Sequence, residues 1–281
     1  MPLLNDAKSC YVGTQPITTI MAGSVQVWPK VVEEESAFAN LDGNLGVSPA
    51  SGVVAMTSTT SLNVNSGDPI YQSPAKCGSE CLDISYRLRD KPDGTTSMTT
   101  DMLWFEGASG ELSDHINLRY GYTFSYWFKF ASSNIPNSCR PSMMFGLNAE
   151  TSETDLFNLP VVKWKYETAD RTPLWHIESS TGATIRDILA PNVLDDTWHN
   201  FAFCVDANTG LYSFYFDGNR QFNGNIGISG FKPILLRRIT ADLGNHLNTG
   251  AEGSVYIDSL SLFNRVLYTN DFIPQPCGPN P

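Results

Sequence analysis

The sequence predicts an all-β protein of antiparallel strands, and three observations carry that expectation. Two alternating apolar runs flank a turn signal. In the first, Phe201, Phe203 and Val205 alternate with Asn200, Ala202 and Cys204. In the second, Tyr212, Phe214 and Phe216 alternate with Leu211, Ser213 and Tyr215. A period of two is the mark of a half-buried strand. Between the runs, Asp206-Ala-Asn-Thr-Gly210 supplies residues that accept left-handed backbone, and Asp217-Gly218 marks the next reversal. The second observation is that no segment keeps the i, i+3, i+4, i+7 apolar spacing of an amphipathic helix for three turns. The third is composition: 22 Gly and 17 Pro, with only 17% charged residues, suit many short strands joined by turns. At 281 residues the chain is long enough to bury a full core.

In chain order, the first element is Tyr11-Val-Gly-Thr-Gln-Pro-Ile-Thr-Thr-Ile-Met-Ala-Gly-Ser-Val-Gln-Val-Trp-Pro29, read as three short β-segments at 11–12, 17–21 and 25–28 punctuated by glycines. A unit of residues 1–30 is too small to hold a core and must dock, on its own body or on a neighbouring chain. Its candidate contact residues are Tyr11, Val12, Ile20, Val27 and Trp28. Residues 31–40, with Val31-Val-Glu-Glu-Glu-Ser-Ala-Phe38, read as a charged linker or a single helical turn, and residues 41–281 as the body. Strand candidates follow at 52–57, 62–64, 82–88 and 102–107, with a turn at Asp90-Lys-Pro-Asp-Gly94. Tyr122–Phe130 sets Phe124, Tyr126, Phe128 and Phe130 on one face; 161–166, 174–177 and 253–267 complete the series.

Three of these segments carry a resemblance. A Trp198-His199 entering a strand, the Asp-x-x-Thr-Gly turn at 206–210 and a closing Tyr215-Phe-Asp-Gly218 resemble the laminin-G-like, concanavalin-A-like domains. The early aromatic strand 122–130 and the late Ile257-Asp-Ser-Leu-Ser-Leu-Phe-Asn-Arg-Val-Leu267 match the same family in the same order, over about residues 100–272. The resemblance implies a two-sheet antiparallel jelly-roll β-sandwich, here with a small N-terminal β-hairpin-like docking segment. The phrase 11–29 resembles a short N-terminal module of bacteriophage virion proteins, especially tail and appendage proteins. It implies docking on other virion proteins and a homo-oligomer within an assembly.

The net charge of −11 argues against a nucleic-acid partner, since phosphate binding needs a cationic surface. Arg237-Arg238, inside an apolar run, reads as solvated strand residues or rim ion pairs. No apolar run is long enough to span a membrane. Residues 1–8 lack a basic leader and an apolar stretch, which predicts no secretory signal and assembly in a host cytoplasm. Of the six cysteines, Cys77 and Cys81 form the only close pair, a local disulfide or half of a metal site; no second pair or His cluster accompanies them.

Catalysis finds little footing. Glycosidases of this fold need two carboxylates arrayed along one strand, and Glu150, Glu153 and Asp155 instead fall in a polar, unperiodic segment. His115, His176, His199 and His246 share no ligand spacing, and His199 reads as structural. The expectation is a non-enzyme with no catalytic residues: a virion protein displaying a lectin-like sandwich for adhesion or decoration. A free-standing carbohydrate-binding module and an unusual glycoside hydrolase are the alternatives. Sugar stacking could use Trp164 and Trp175, although core packing has the stronger claim on both. No cofactor is expected beyond a possible Ca²⁺, whose candidate ligands are Asp206, Asp217 and Asp242, although turn aspartates usually accept backbone amides instead. Host-surface glycans are the expected ligands.

Overall fold

The structure is a computed structural model of the 281-residue chain. It describes residues 10–12, 15–17, 20–22, 25–28, 36–39, 46–49, 54–60, 70–90, 96–106, 121–131, 142–145, 147–148, 161–166, 172–178, 184–206, 209–225, 238–239, 242–243, 253–275 and 277. Among these, every regular element is a strand, and every ladder is antiparallel. The chain divides into two compact units, Met1–Glu34 and Glu35–Pro281, with the boundary inside the segment expected to be a linker.

The first unit holds β1 (Cys10–Val12) paired with β2 (Gln15–Ile17), and β3 (Ile20–Ala22) paired with β4 (Val25–Trp28). The run 17–21, read as one segment, is shared between two hairpins. In the second unit Ser36–Ala39 is strand β5, which corrects its assignment to a linker or helical turn. Tertiary pairing overrides the local charge pattern here: β5 runs antiparallel to residues 260–263 in register.

The body continues with β6 (Gly46–Pro49), β7 (Val54–Thr60), β8 (Ile70–Gln72), β9 (Cys81–Asp90), β10 (Thr96–Glu106) and β11 (Gly121–Phe130). Next come β12 (Ser142–Phe145), β13 (Leu147–Asn148), β14 (Val161–Tyr166), β15 (Pro173–Glu178) and β16 (Thr184–Leu189). The last are β17 (His199–Asp206), β18 (Leu211–Phe216), β19 (Asn219–Asn225), β20 (Arg238–Ile239), β21 (Asp242–Leu243) and β22 (Gly253–Phe263). The strand candidate at 62–64 lies outside the described residues.

Two sheets make the sandwich. The larger runs β19-β18-β17-β11-β22-β5-β6-β7-β10-β9-β8, and the smaller runs β16-β15-β14-β12-β21. Their facing sides interlock through aromatic rings. Trp164 of β14 lies 5.6 Å from Phe130, and Trp175 of β15 lies 5.4 Å from Phe214 and 5.5 Å from Phe216, centroid to centroid. Phe124, Phe128, Phe201 and Phe214 are fully buried between the sheets. Rings in tilted or edge contact add roughly 0.5–1.5 kcal/mol per pair beyond their buried area.

Strand β22 shows how one residue redirects a ladder. Trp127 of β11 sits opposite Asp258 and Ser125 opposite Ser261, so the partner strand carries one extra residue between them. Ser259 takes up the excess at a left-handed φ of 49°. A bulge of this kind resets which side chains face inward. Val255 and Ile257 point to the core before it, Leu260 and Leu262 after it, and all four are buried. The bulge also divides the strand's other edge, which pairs with β9 over residues 253–257 and with β5 over 260–263.

Candidate functional site

The β17–β18 hairpin was expected to bury one face only. The structure buries both faces of β17, and the reason lies after the last strand. Residues 264–275 run back across the outer face as a strap. Thr123 Oγ1 donates to the Arg265 carbonyl and accepts from the Leu267 N–H, each at 2.8 Å. Tyr215 Oη donates to the Tyr268 carbonyl at 2.9 Å, and the Phe272 N–H donates to the Gly218 carbonyl at 2.9 Å. Tyr268 and Phe272 stack with centroids 3.5 Å apart, both edge-on to Tyr215. Together with Val266 and Leu267 they form a second small core over Ala202, Cys204 and Tyr215.

The end of the strap is fastened twice. Trp127 Nε1 donates to the Gln275 carbonyl at 3.0 Å, with Lys76 Nζ 4.0 Å from the ring centroid on its face. Cys277 then forms a disulfide with Cys77. The expected local pairing of Cys77 with Cys81 is therefore corrected: Cys81 is a buried free thiol hydrogen-bonded to the Gln72 carbonyl at 3.2 Å, and burial pushes its pKa up to about 12. Asp258 anchors the approach to the disulfide. Its Oδ2 accepts from the Lys76 N–H at 2.9 Å and the Cys77 N–H at 2.8 Å. Burial raises its pKa from 3.8 to about 6, and those two hydrogen bonds limit the rise.

The rest of the hairpin is held by its polar residues. Asp217 and Gly218 both take positive φ, 48° and 76°, the geometry of a two-residue reversal. Asp217 Oδ2 lies 2.8 Å from His199 Nδ1, and its Oδ1 accepts the Asn200 N–H at 2.8 Å. His199 Nε2 lies 3.0 Å from Thr197 Oγ1 and 3.2 Å from Asp195 Oδ1. Burial presses the His199 pKa down, but Asp217 and then Asp195 outweigh it, and the net shift is upward. The structural reading of His199 follows from these contacts. His176, in β15 of the smaller sheet, pairs through Nδ1 with Asp187.

The strap leaves part of the outer face open. Between it and the tip of the β17–β18–β19 meander lies a cleft of about 160 Å³, lined by Cys204, Asp206, Leu211, Ser213, Arg220 and Asn223 and, from the strap, by Val266, Tyr268 and Thr269. Arg220 is fixed from two directions: its backbone N–H donates to Asp271 Oδ1 and its Nη1 to the Thr269 carbonyl, both at 2.9 Å. Leu211 is 47% exposed on the cleft's edge.

Other expected site residues fall elsewhere. Trp164 and Trp175 are fully buried between the sheets, which corrects both as sugar-stacking candidates: neither offers a ring face to solvent. Asp206 and Asp217 sit at opposite ends of the β17–β18 hairpin, roughly 20 Å apart at about 3.4 Å per residue, and cannot share one ion. Asp206 Oδ2 instead accepts from Thr209 Oγ1 at 2.8 Å. Asp242 is in β21, and Tyr11, Val12, Ile20, Val27 and Trp28 are in β1, β3 and β4, with side chains outside the described residues. Glu150, Glu153, Asp155, His115, His246 and Arg237 lie outside them as well. Among the described residues no three His, Cys, Asp or Glu side chains converge as a metal site, and no helix is long and apolar enough to cross a membrane.

The cleft residues Leu211, Arg220 and Asn223 escaped the sequence reading. One signal pointed to them: Leu211 is the lone large apolar residue on a strand face it shares with Ser213, directly after the turn glycine.

No protein-family model matches the chain, and no curated protein matches it. Solved structures similar to it include one of botulinum neurotoxin type C, whose cell entry is dependent upon interaction with two ganglioside molecules (8% identity, TM-score 0.49, covering 83% of this chain and 48% of that one). Another is the botulinum neurotoxin serotype D binding domain (10% identity, TM-score 0.49, 83% and 48%). A third is the binding domain of botulinum neurotoxin DC in complex with SialylT (10% identity, TM-score 0.47, 83% and 47%). The chain spans about half the length of these structures.

Proposed function

We propose that this chain is a non-enzymatic bacteriophage virion protein that displays a lectin-like sandwich for adhesion or surface decoration. The observation that carries the reading is the division at Glu34–Glu35. Among its described residues the first unit holds two two-stranded ladders, a kind of element that is marginal in water without a surface to pack on. Such a unit serves as an attachment device, with Tyr11, Val12, Ile20, Val27 and Trp28 as its anchors on other virion proteins. The resemblance of residues 11–29 to virion appendage modules supports the same role. The Cys77–Cys277 disulfide suits a chain that works outside a reducing cytosol, as a released particle does. Host-surface glycans are the ligands of the displayed sandwich, and assembly makes it a homo-oligomer.

The test is incorporation into particles. Full-length protein, the Trp28→Asp variant and a chain lacking residues 1–34 are supplied in trans to a phage whose own copy is deleted, and purified particles are assayed for each. The reading expects the full-length protein alone to incorporate, while both altered chains keep the near-ultraviolet circular dichroism of the folded sandwich. Normal incorporation of the truncated chain would sink it. The cleft favours a second reading, a free-standing lectin; specific glycan binding by a protein that enters no particle is its signature.

A further inference from the structure

We propose that the cleft between the β17–β19 meander and the C-terminal strap holds one pyranose ring of a neutral glycan. The inference rests on the lectin-like display proposed above and assigns it a site. The cleft exists because the strap stops short. Residues 266–272 seal Ala202, Cys204 and Tyr215, and then leave Leu211, Ser213 and Asn223 facing a concave gap.

Size narrows the occupant. At about 160 Å³ the cleft is well below the roughly 300–1,000 Å³ of drug-sized sites, which suits one small ring. Chemistry narrows it further. The lining is mixed: Leu211, Val266 and Tyr268 give it apolar surface, while Arg220, Asn223 and Ser213 bring hydrogen-bonding groups. A pyranose matches that mixture, with a C–H face for the apolar surface and equatorial hydroxyls for the polar groups. One guanidinium and one carboxylate, those of Arg220 and Asp206, leave the lining without net charge, which disfavours a strongly anionic or cationic ligand.

Preorganisation completes the case. The Arg220 backbone N–H is held by Asp271 Oδ1, and its guanidinium is held through Nη1 by the Thr269 carbonyl. Its planar fork is thus oriented before a ligand arrives, and its remaining N–H donors suit a pair of neighbouring hydroxyls.

The full chain is tested by saturation-transfer NMR against methyl glycosides of glucose, galactose, mannose and N-acetylglucosamine. At least one should bind with about millimolar affinity. Leu211→Ser and Asn223→Ala, both at exposed or rim positions, should each weaken it by roughly tenfold while the melting temperature stays unchanged. Silence from all four glycosides overturns the proposal, and so does binding that survives both substitutions. Particle incorporation is scored separately: normal incorporation without sugar binding defeats this inference alone, and sugar binding without incorporation defeats the virion reading alone.

Discussion

Breaking the Cys77–Cys277 disulfide tests the strap most directly. The bond joins residues 200 apart in sequence, so it encloses most of the sandwich in one loop. The chain-entropy relation, −2.1 − 1.5R ln n, gives about −18 cal/mol/K for that loop, or about 5 kcal/mol at room temperature. Measured disulfides usually deliver less, about 2–4 kcal/mol. For a domain of this size each kcal/mol moves the melting temperature by about 2–4 °C, so the expected fall is about 5–15 °C. Calorimetry with and without a phosphine reductant measures it, and the Cys277→Ser variant should reproduce the reduced value without reductant. The native state should persist below the transition, because Tyr268, Phe272 and Gln275 keep their own hydrogen bonds and ring contacts. A non-reducing peptide map should link the Cys77 and Cys277 peptides. A melting shift under about 2 °C, with the link present in the map, would refute the claim that the disulfide restrains the unfolded chain.

Three further perturbations probe separate parts of the fold. Gly218→Ala should destabilise by about 3 kcal/mol and loosen the strap: at φ 76° the new Cβ would stand 1.9 Å from the Phe272 carbonyl oxygen, a backbone atom that cannot yield. Limited proteolysis should then cut within 264–275 first, and cutting elsewhere would contradict the strap's dependence on this turn. For Asp258, a buried acid whose pKa rises from 3.8 to about 6, stability is greatest below pH 3.8 and falls as pH climbs through about 6. The difference, 6 − 3.8, is about 2 pK units or roughly 3 kcal/mol. Asp258→Asn should flatten that slope in urea melts taken from pH 4 to 7, and an unchanged slope would locate it in another group. Trp175→Ala, at a position with no exposure, should cost about 3–5 kcal/mol by emptying the space between Phe201, Phe214 and Phe216.

Alternation made the inner face of the large sheet legible. Phe124 to Phe130 on β11, and Phe201 to Val205 on β17, face the core as their spacing predicts. The bulge in β22 was not read from the sequence, although it leaves a trace there: Ile257 and Leu260 stand three apart where strict alternation would put two. The outer face was not. Ala202 and Cys204 are small residues suited to either burial or exposure, and only the return of residues 264–275 decides between them. That segment has no period to read: Tyr268 and Phe272 meet through a turn, not a regular element. Cysteine pairing across 200 residues left no local trace. Trp175 looked the same in sequence whether turned in or out, since Leu174 stands on the opposite face of its strand, whereas the alternation of Val162, Trp164 and Tyr166 with Lys163 and Lys165 already pointed Trp164 inward.

Function on this sandwich is confined by how thoroughly it seals itself. A β-sandwich needs only the faces between its sheets, and an outer face is normally left to water. Here the strap takes up the middle of the outer face, binding Thr123, Trp127 and Tyr215 into structural hydrogen bonds. Among the described residues of this face, Leu211 stays open at 47% exposure, at the margin of a cleft that Arg220 also lines. A solitary exposed leucine on a convex surface would call for no explanation. In a cleft it keeps apolar area in water that further burial would turn into stability, about 25 cal/mol for each Å² covered. The strap lines the cleft with Val266 and Tyr268 and leaves its own Ile273 87% exposed. Folding energetics alone would favour closing the gap, so the gap is the part of the outer face whose form points past stability and toward a ligand.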